Sequence, residues 1–110
     1  MSEFQTQEEF KKHVNTPFRV QVNAPKPIDL TLVAVESRPV EATEEQAMER
    51  FSVFFLGSPE FLLPQSIYRV AHPQVGEFDM FLVAVGKEAE GYRYEAVYNY
   101  YKAGAQQAAK

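Results

Sequence analysis

The sequence predicts a mainly β fold: a six-stranded antiparallel barrel or a sandwich-like meander, with one short N-terminal helix. Apolar and polar residues alternate through much of the chain, which is typical of half-buried strands. Turn signals containing glycine or proline recur at short spacing. The 110 residues, 45% of them hydrophobic, predict one β domain over residues 1–100 and a flexible tail over residues 101–110.

Composition narrows the classes of function and partner. The chain has no cysteine, which excludes disulfides and sulfur-based zinc sites. Its formal net charge is −4 with no basic stripe, so we expect no nucleic-acid partner. No apolar run approaches the roughly 20 residues of a membrane helix, so we expect no membrane span. A cytoplasmic location is the default expectation. The sequence has neither a phosphate-binding glycine loop nor a calcium loop, and we expect no cofactor or metal.

The chain begins with a predicted helix of about two turns. Thr6, followed three residues later by Glu9, forms a capping box that marks the start of a helix. Phe10 and Val14 share one face of this helix. Pro17 ends it, because proline lacks the backbone N–H that a helix interior needs.

Three strands are expected in the first half of the chain, over residues 18–22, 28–37 and 51–56. In the second of these the alternation changes phase at Leu32–Val33, which predicts a β-bulge. The connection over residues 39–50 is rich in glutamate, so we expect a solvated loop with room for one helical turn from Thr43.

Three further strands are expected over residues 65–72, 77–85 and 92–100. The segment from His72 to Gly76 has the length and the glycine of a hairpin loop, so the fifth strand should return antiparallel to the fourth. Residues 86–91 make the next reversal. The order of the strands around the sheet does not follow from the sequence.

Two of the predicted strands carry apolar residues on both faces. Phe54 in the third strand, and Phe81 and Val83 in the fifth, lie on the face opposite the expected core. Exposed clusters of such side chains promote association, so something should cover them. The N-terminal helix and a second protein chain are the two candidate covers, and we hypothesise that the helix covers part of this face and a protein contact the rest.

The sixth strand carries a row of tyrosines. Tyr92, Tyr94, Tyr98 and Tyr100 share one face, with Ala96 between them. Tyrosine suits a surface that is half apolar and half wet, so the row could be a ligand or partner face. Ordinary cross-strand packing explains the same pattern.

Candidate catalytic groups are few. His72 ends the fourth strand, where its ring is suited to bond the turn backbone, and Glu95 lies in mid-strand among aromatic neighbours. We expect Glu95 to form an ion pair with Arg69 or Arg93. His13 falls at the end of the surface helix. No serine motif accompanies these groups.

Several stretches of the chain resemble a bacterial family classed as a domain of unknown function. They are residues 62–86 (LLPQSIYRVAHPQVGEFDMFLVAVG), 91–99 (GYRYEAVYN) and 51–57 (FSVFFLG), with an early Phe10 and Phe18-Arg-Val20. The resemblance covers roughly residues 4–99. It implies a stand-alone small β domain without an established activity, sometimes associated with genes for phage-tail-collar-like proteins, and it supplies no catalytic residues.

The sequence therefore predicts a non-enzymatic protein-interaction or assembly module that binds a protein partner or itself, with an accessory role in a phage-tail-like structure as the narrowest form of the hypothesis. Two alternatives stay open: a small-molecule-binding β-barrel with an aromatic-lined mouth, and an enzyme that uses His72 and Glu95. The predicted interaction residues are Phe54, Phe81, Val83, Tyr92, Tyr94 and Tyr98.

Overall fold

The computed structural model describes residues 6–22, 27–38 and 48–101 of the chain. In chain order the elements are α1 (Gln7–Lys11), β1 (Pro17–Val20), β2 (Ile28–Ser37), β3 (Met48–Gly57), β4 (Ser66–His72), β5 (Gly76–Glu88) and β6 (Gly91–Tyr101). The prediction of a mainly β fold with six antiparallel strands and one short helix is confirmed.

The six strands form one ring-like sheet in the order β1-β2-β3-β6-β5-β4. Every neighbouring pair is antiparallel. The order is not that of a simple meander, because the chain crosses from β3 to β4 and β6 then returns beside β3. β3 and β6 pair from Met48↔Tyr101 to Gly57↔Tyr92. In the described part of the chain, β1 and β4 pair at Arg19↔Ala71 and Val20↔Val70, and one further bond of 2.9 Å runs from the Gln21 N–H to the Arg69 carbonyl oxygen. Among the described residues, the β1–β4 contact is therefore the shortest in the ring.

Local irregularities occur where the apolar pattern changes. The predicted bulge in β2 is confirmed by a register shift between Leu32 and Ala34. A second shift, between Ala84 and Gly86 on β5, was not predicted. The predicted β4–β5 hairpin is confirmed, with Gly76 at a φ of 101°, a conformation that favours glycine.

The ends of several strands differ from the predicted ones. β1 begins at Pro17 and ends at Val20 rather than running over residues 18–22. β3 begins at Met48, inside the predicted acidic loop, because it pairs with β6 as far as Tyr101. The rest of that loop, with the helical turn from Thr43, lies outside the described residues, as does the predicted tail beyond Tyr101.

Apolar side chains from all six strands fill the interior of the ring. Burial of each large apolar side chain contributes roughly 1.5–3 kcal/mol. The largest side chains with under 2% exposure are Tyr94, Phe10, Phe18, Phe51, Phe55, Leu30, Leu32, Leu82, Val20, Val53 and Val70. The interior of the ring is therefore a packed hydrophobic core.

The helix α1 closes one end of this core. Its predicted cap is confirmed, since Thr6 Oγ1 accepts a hydrogen bond from the backbone N–H of Glu9 at 3.1 Å. Phe10 is fully buried, and its ring lies 5.5 Å from the ring of Tyr98 and 6.1 Å from that of Phe78. The hypothesis that the helix packs on the outer face is therefore wrong for α1: its one fully buried aromatic residue points into the core, so it does not cover Phe54 or Phe81.

The opposite end of the ring depends on two glycines in close contact. A Cβ placed on Gly91 would lie 1.7 Å from the carbonyl oxygen of Gly57. Gly91 also has a φ of 153°. Only glycine allows the start of β6 to approach the end of β3 this closely, so Gly91 is more than a turn residue.

Candidate functional site

An apolar patch lies on the outer face of the ring, on β4, β5 and β6. Ile67 and Phe81 are cross-strand partners, and they are 66% and 48% exposed. Val83 follows on the same face of β5 and is half-buried. Val97 on β6 is 47% exposed. We call these four residues, Ile67, Phe81, Val83 and Val97, the outer patch.

The relative position of the β5 and β6 members follows from the strand register. β5 and β6 pair from Glu88↔Gly91 to Val83↔Glu95, and no pair beyond that point is found among the described residues. Because the strands are antiparallel, Phe81 and Val97 each lie two residues beyond that last pair, at the same level of the ring. The patch therefore borders the place where β5 and β6 separate.

Arginine–carboxylate ion pairs lie on either side of the outer patch. Arg69, two residues from Ile67 on the same face of β4, contacts Asp79 at 3.3 Å and Glu77 at 3.6 Å. On β6, Arg93 contacts Glu88 at 3.1 Å. These side chains are partly or largely exposed, so each pair contributes little to stability. An apolar centre beside charged groups is a common composition for a protein-binding surface.

Of the predicted interaction residues, Phe81 and Val83 belong to the outer patch and Phe54 lies next to it. Glu95 is the register partner of both Val83 and Phe54, so it separates them on the outer face. The Arg93 guanidinium lies 5.1 Å from the centre of the Phe54 ring and covers part of it. Phe54 is accordingly half-buried.

The three predicted tyrosines lie on the inner face of β6, away from the outer patch. Tyr94 is 1% exposed, and its hydroxyl accepts a hydrogen bond from the backbone N–H of Leu63 at 2.9 Å. Tyr98 stacks on Phe51 with ring centres 5.1 Å apart, and burial raises the pKa of its hydroxyl. Tyr92 is also packed against the core. For these three residues the structure shows cross-strand packing, the second explanation of the tyrosine row; the side chain of Tyr100 is not among those described.

His72 lies inside the ring and both of its ring nitrogens have partners. Nδ1 accepts hydrogen bonds from the backbone N–H groups of Gln74 at 3.1 Å and Val75 at 3.3 Å. Nε2 lies 3.0 Å from the hydroxyl oxygen of Thr16. Burial, followed by the nearby His13, lowers the pKa of His72 below the ordinary value of 6.5. The predicted bonding to the turn backbone is confirmed.

Glu95 lies on the outer face, so the structure does not bring it together with the inward-facing His72. Its carboxylate accepts a hydrogen bond of 2.6 Å from the hydroxyl of the buried Ser52. Of the two arginines expected to pair with it, Arg69 contacts Asp79 and Arg93 contacts Glu88. The contact that the structure shows for Glu95 is thus a hydroxyl donor on the neighbouring strand.

Two open concavities meet at His72. The larger, of about 480 Å³, lies over the short β1–β4 pairing; the smaller, of about 220 Å³, lies against the turn between α1 and β1. Arg19, Asp29 and Glu77 supply the charges of the larger one. The lining of the larger concavity is polar and charged apart from prolines, an alanine and a glycine, so it is not the aromatic-lined mouth of the small-molecule-binding alternative.

Within residues 6–22, 27–38 and 48–101, no group of three or more histidine, cysteine or acidic side chains could hold a metal ion. No helix in this part of the chain combines the length and the apolar character needed to cross a membrane.

Comparison with known protein families gives a match over most of the chain. The model of DUF6916, a domain of unknown function, matches residues 5–98. The chain belongs to this family. The resemblance inferred from the sequence is thereby confirmed, whereas the match to DUF6916 gives no support to an association with phage-tail-collar-like genes. A search of curated proteins and of solved structures finds no significant match.

Sequence reasoning missed Ile67, the most exposed large apolar residue of the patch. A signal for it was present in the hairpin. Once the loop pairs His72 with Gly76, counting back along both strands pairs Ile67 with Phe81. Val97 had no comparable signal, because its exposure depends on where β5 leaves β6.

Proposed function

We propose that this DUF6916 domain is a non-enzymatic protein-interaction module that binds a second protein chain through the outer patch. The observation that carries the proposal is the exposed pair of Ile67 and Phe81 on a ring whose interior is already packed. Burying such a pair against a partner contributes roughly 25 cal/mol per Å² of apolar surface removed from water.

The fold itself supports the proposal, because no described element covers the patch. α1 packs into the end of the core through Phe10, and the described crossover from β3 to β4 packs inward through Leu63. Exposed apolar patches on small domains mark interaction sites more often than single scattered residues do. A second chain, either another copy or a different protein, is the cover that we propose.

The absence of an enzymatic role is part of the proposal. His72 is surrounded by three hydrogen-bond partners, and Glu95 lies on the other face of the sheet. A base needs a free acceptor atom within reach of the proton that it removes. The accessory role in a phage-tail-like assembly stays a prediction, since no feature of the described residues bears on it.

The test compares two lysine substitutions at exposed strand positions. Ile67→Lys places a charge in the outer patch, whereas Glu36→Lys places one on β2, on the opposite side of the ring. We expect sedimentation velocity or quantitative affinity capture from the native cell to show a complex with the unmodified chain and with Glu36→Lys. We expect Ile67→Lys to weaken that complex at least about tenfold, which corresponds to about 1.4 kcal/mol.

Both variants should retain the native melting temperature, because neither position is in the core. A chain that stays monomeric and captures the same proteins with and without Ile67→Lys would contradict the proposal.

A further inference from the structure

His72 joins three segments of the chain at the end of the ring that α1 closes. Its ring extends from the end of β4, accepts hydrogen bonds from two backbone N–H groups of the β4–β5 turn, and contacts Thr16 in the turn between α1 and β1. The ring is also packed 4.4 Å from Phe18 and 4.5 Å from His13, measured between ring centres. It is 7% exposed.

The hydrogen bonds fix the protonation state of this ring. A backbone N–H can only donate, so Nδ1 must carry a lone pair to accept from Gln74 and Val75. The neutral ring then carries its proton on Nε2 and donates it to Thr16 Oγ1, 3.0 Å away. Thr16 in turn donates its hydroxyl proton to the carbonyl oxygen of His13 at 2.5 Å. The turn amides thus donate to His72, His72 donates to Thr16, and Thr16 donates to His13. This arrangement of donors and acceptors requires a neutral His72 ring.

We propose that His72 is a proton-sensitive latch, which holds the turn between α1 and β1 against the β4–β5 turn while neutral and releases it when protonated. A proton on Nδ1 replaces the acceptor with a donor that faces two other donors. The His13 ring, with its centre 4.5 Å away, also disfavours a positive charge on His72. Both effects oppose the closed arrangement.

Titratable and charged side chains face the latch from the α1–β1 turn and from β1, β2 and β5. His13 faces the ring from the α1–β1 turn. Arg19 on β1, Asp29 on β2 and Glu77 on β5 line the outer concavity that reaches His72. All three are more than half exposed, and Arg19 is paired with Asp29 at 3.4 Å. Water screens their effect on a ring that is almost fully buried. The lowered pKa of His72 agrees with this balance.

The latch controls access to one end of the core. Thr16 lies six residues after Phe10, and the backbone of the same turn bonds β2 through Asn15 and Thr16. Phe10 itself fills the space between Phe18, Phe51, Phe78 and Tyr98. Release of the turn would loosen α1 and uncover this aromatic cluster, so acidification would expose an apolar surface distinct from the outer patch.

The sign of the pH effect follows from linkage. A histidine whose pKa is lower in the folded chain than in the unfolded chain stays neutral while the unfolded chain takes up a proton. Its contribution to stability is therefore complete above the ordinary pKa of 6.5 and is lost as the pH falls below that value.

The test follows His72 directly in the unmodified chain by nuclear magnetic resonance of its ring nitrogens. At about pH 7.5 we expect the proton on Nε2 and none on Nδ1, and on acidification a titration midpoint below 6.5. The backbone amides of Gln74 and Val75 should lose protection from hydrogen exchange, by at least about tenfold after correction for intrinsic rates, as the ring titrates. A proton on Nδ1 at neutral pH, a midpoint at or above 6.5, or unchanged protection would overturn the proposal.

A variant supplies the second readout. In His72→Asn the side-chain oxygen can still accept from the two turn amides, but the group no longer titrates. We expect the melting temperature of the unmodified chain to fall by at least about 4 °C more than that of the variant between about pH 7.5 and about pH 5. Equal falls would contradict the latch, and if the variant does not fold, the resonance titration decides the question alone.

Discussion

The two faces of the hairpin formed by β4 and β5 differ in what covers them, although both contain large apolar residues. On the inner face, Tyr68 pairs with Met80, and Met80 is 3% exposed. The adjacent pair, Ile67 and Phe81, lies on the outer face, where these residues are 66% and 48% exposed. The backbone, the strands and the local register are the same for both pairs.

The two pairs differ in where their neighbours would have to come from. Met80 is buried because the ring closes around it, and the other strands supply its neighbours. Phe81 would need neighbours from outside the ring, and no described element supplies them. Inner apolar residues therefore stabilise the fold, whereas the outer ones are exposed, which is what the proposed partner contact requires.

Truncating Met80 and Phe81, which are adjacent on β5 but lie on opposite faces, should reveal the largest difference in stability. Met80→Ala leaves a cavity in the packed interior and should lower the free energy of unfolding by about 2–5 kcal/mol. Phe81→Ala removes a larger side chain but should cost less than about 1 kcal/mol, because about half of that side chain already contacts water. Chemical denaturation of both variants measures the difference. Equal losses would show that Phe81 is a structural residue.

Removing a buried polar group on the inner face should also lower stability. Tyr94→Phe keeps the buried ring but removes the hydroxyl that accepts from the N–H of Leu63. That N–H then lacks its acceptor in a buried place, so we expect a loss of about 1–3 kcal/mol and faster hydrogen exchange at Leu63. Tyr92→Phe is the matched control on the same strand and face. A loss no larger than that of the control would mean that water reaches the Leu63 amide.

Removing a charged side chain on the outer face should change the free energy of unfolding least. Arg69→Gln removes the contacts with Asp79 and Glu77, whose side chains are more than half exposed, as is that of Arg69. We expect the free energy of unfolding to change by no more than about 0.5 kcal/mol. Thermal unfolding at low and high salt checks this value. A larger loss that disappears at high salt would assign the ion pairs a structural role beside the patch.

Much of the fold could be predicted from the sequence because local patterns dictate it. The Thr6–Glu9 cap, the bulge near Leu32 and the hairpin at Gly76 each depend on residues close together in the chain. The ring order could not be predicted, since the pairing of β3 with β6 depends on contacts between residues far apart in sequence.

The site was predicted in part, and the failures have a physical reason. Phe81 and Val83 stood out because alternation puts them opposite a buried face. Alternation also placed the tyrosines of β6 on one face but could not say which face was inside. Tyr94 points inward, where Leu63 supplies a donor from the β3–β4 crossover. The surface on which α1 packs could not be predicted either, because the sequence does not show which apolar surface Phe10 contacts.

Site-specific photo-crosslinking can show whether a partner binds at the outer patch. A photoreactive phenylalanine analogue replaces Phe81 in one version of the chain and Glu36, exposed on the opposite side of the ring, in another. We predict that irradiation in the native cell extract attaches a defined protein, or a second copy of the chain, to position 81 and not to position 36. No adduct at position 81, or the same adducts at both positions, would show that the outer patch is not a protein-binding surface.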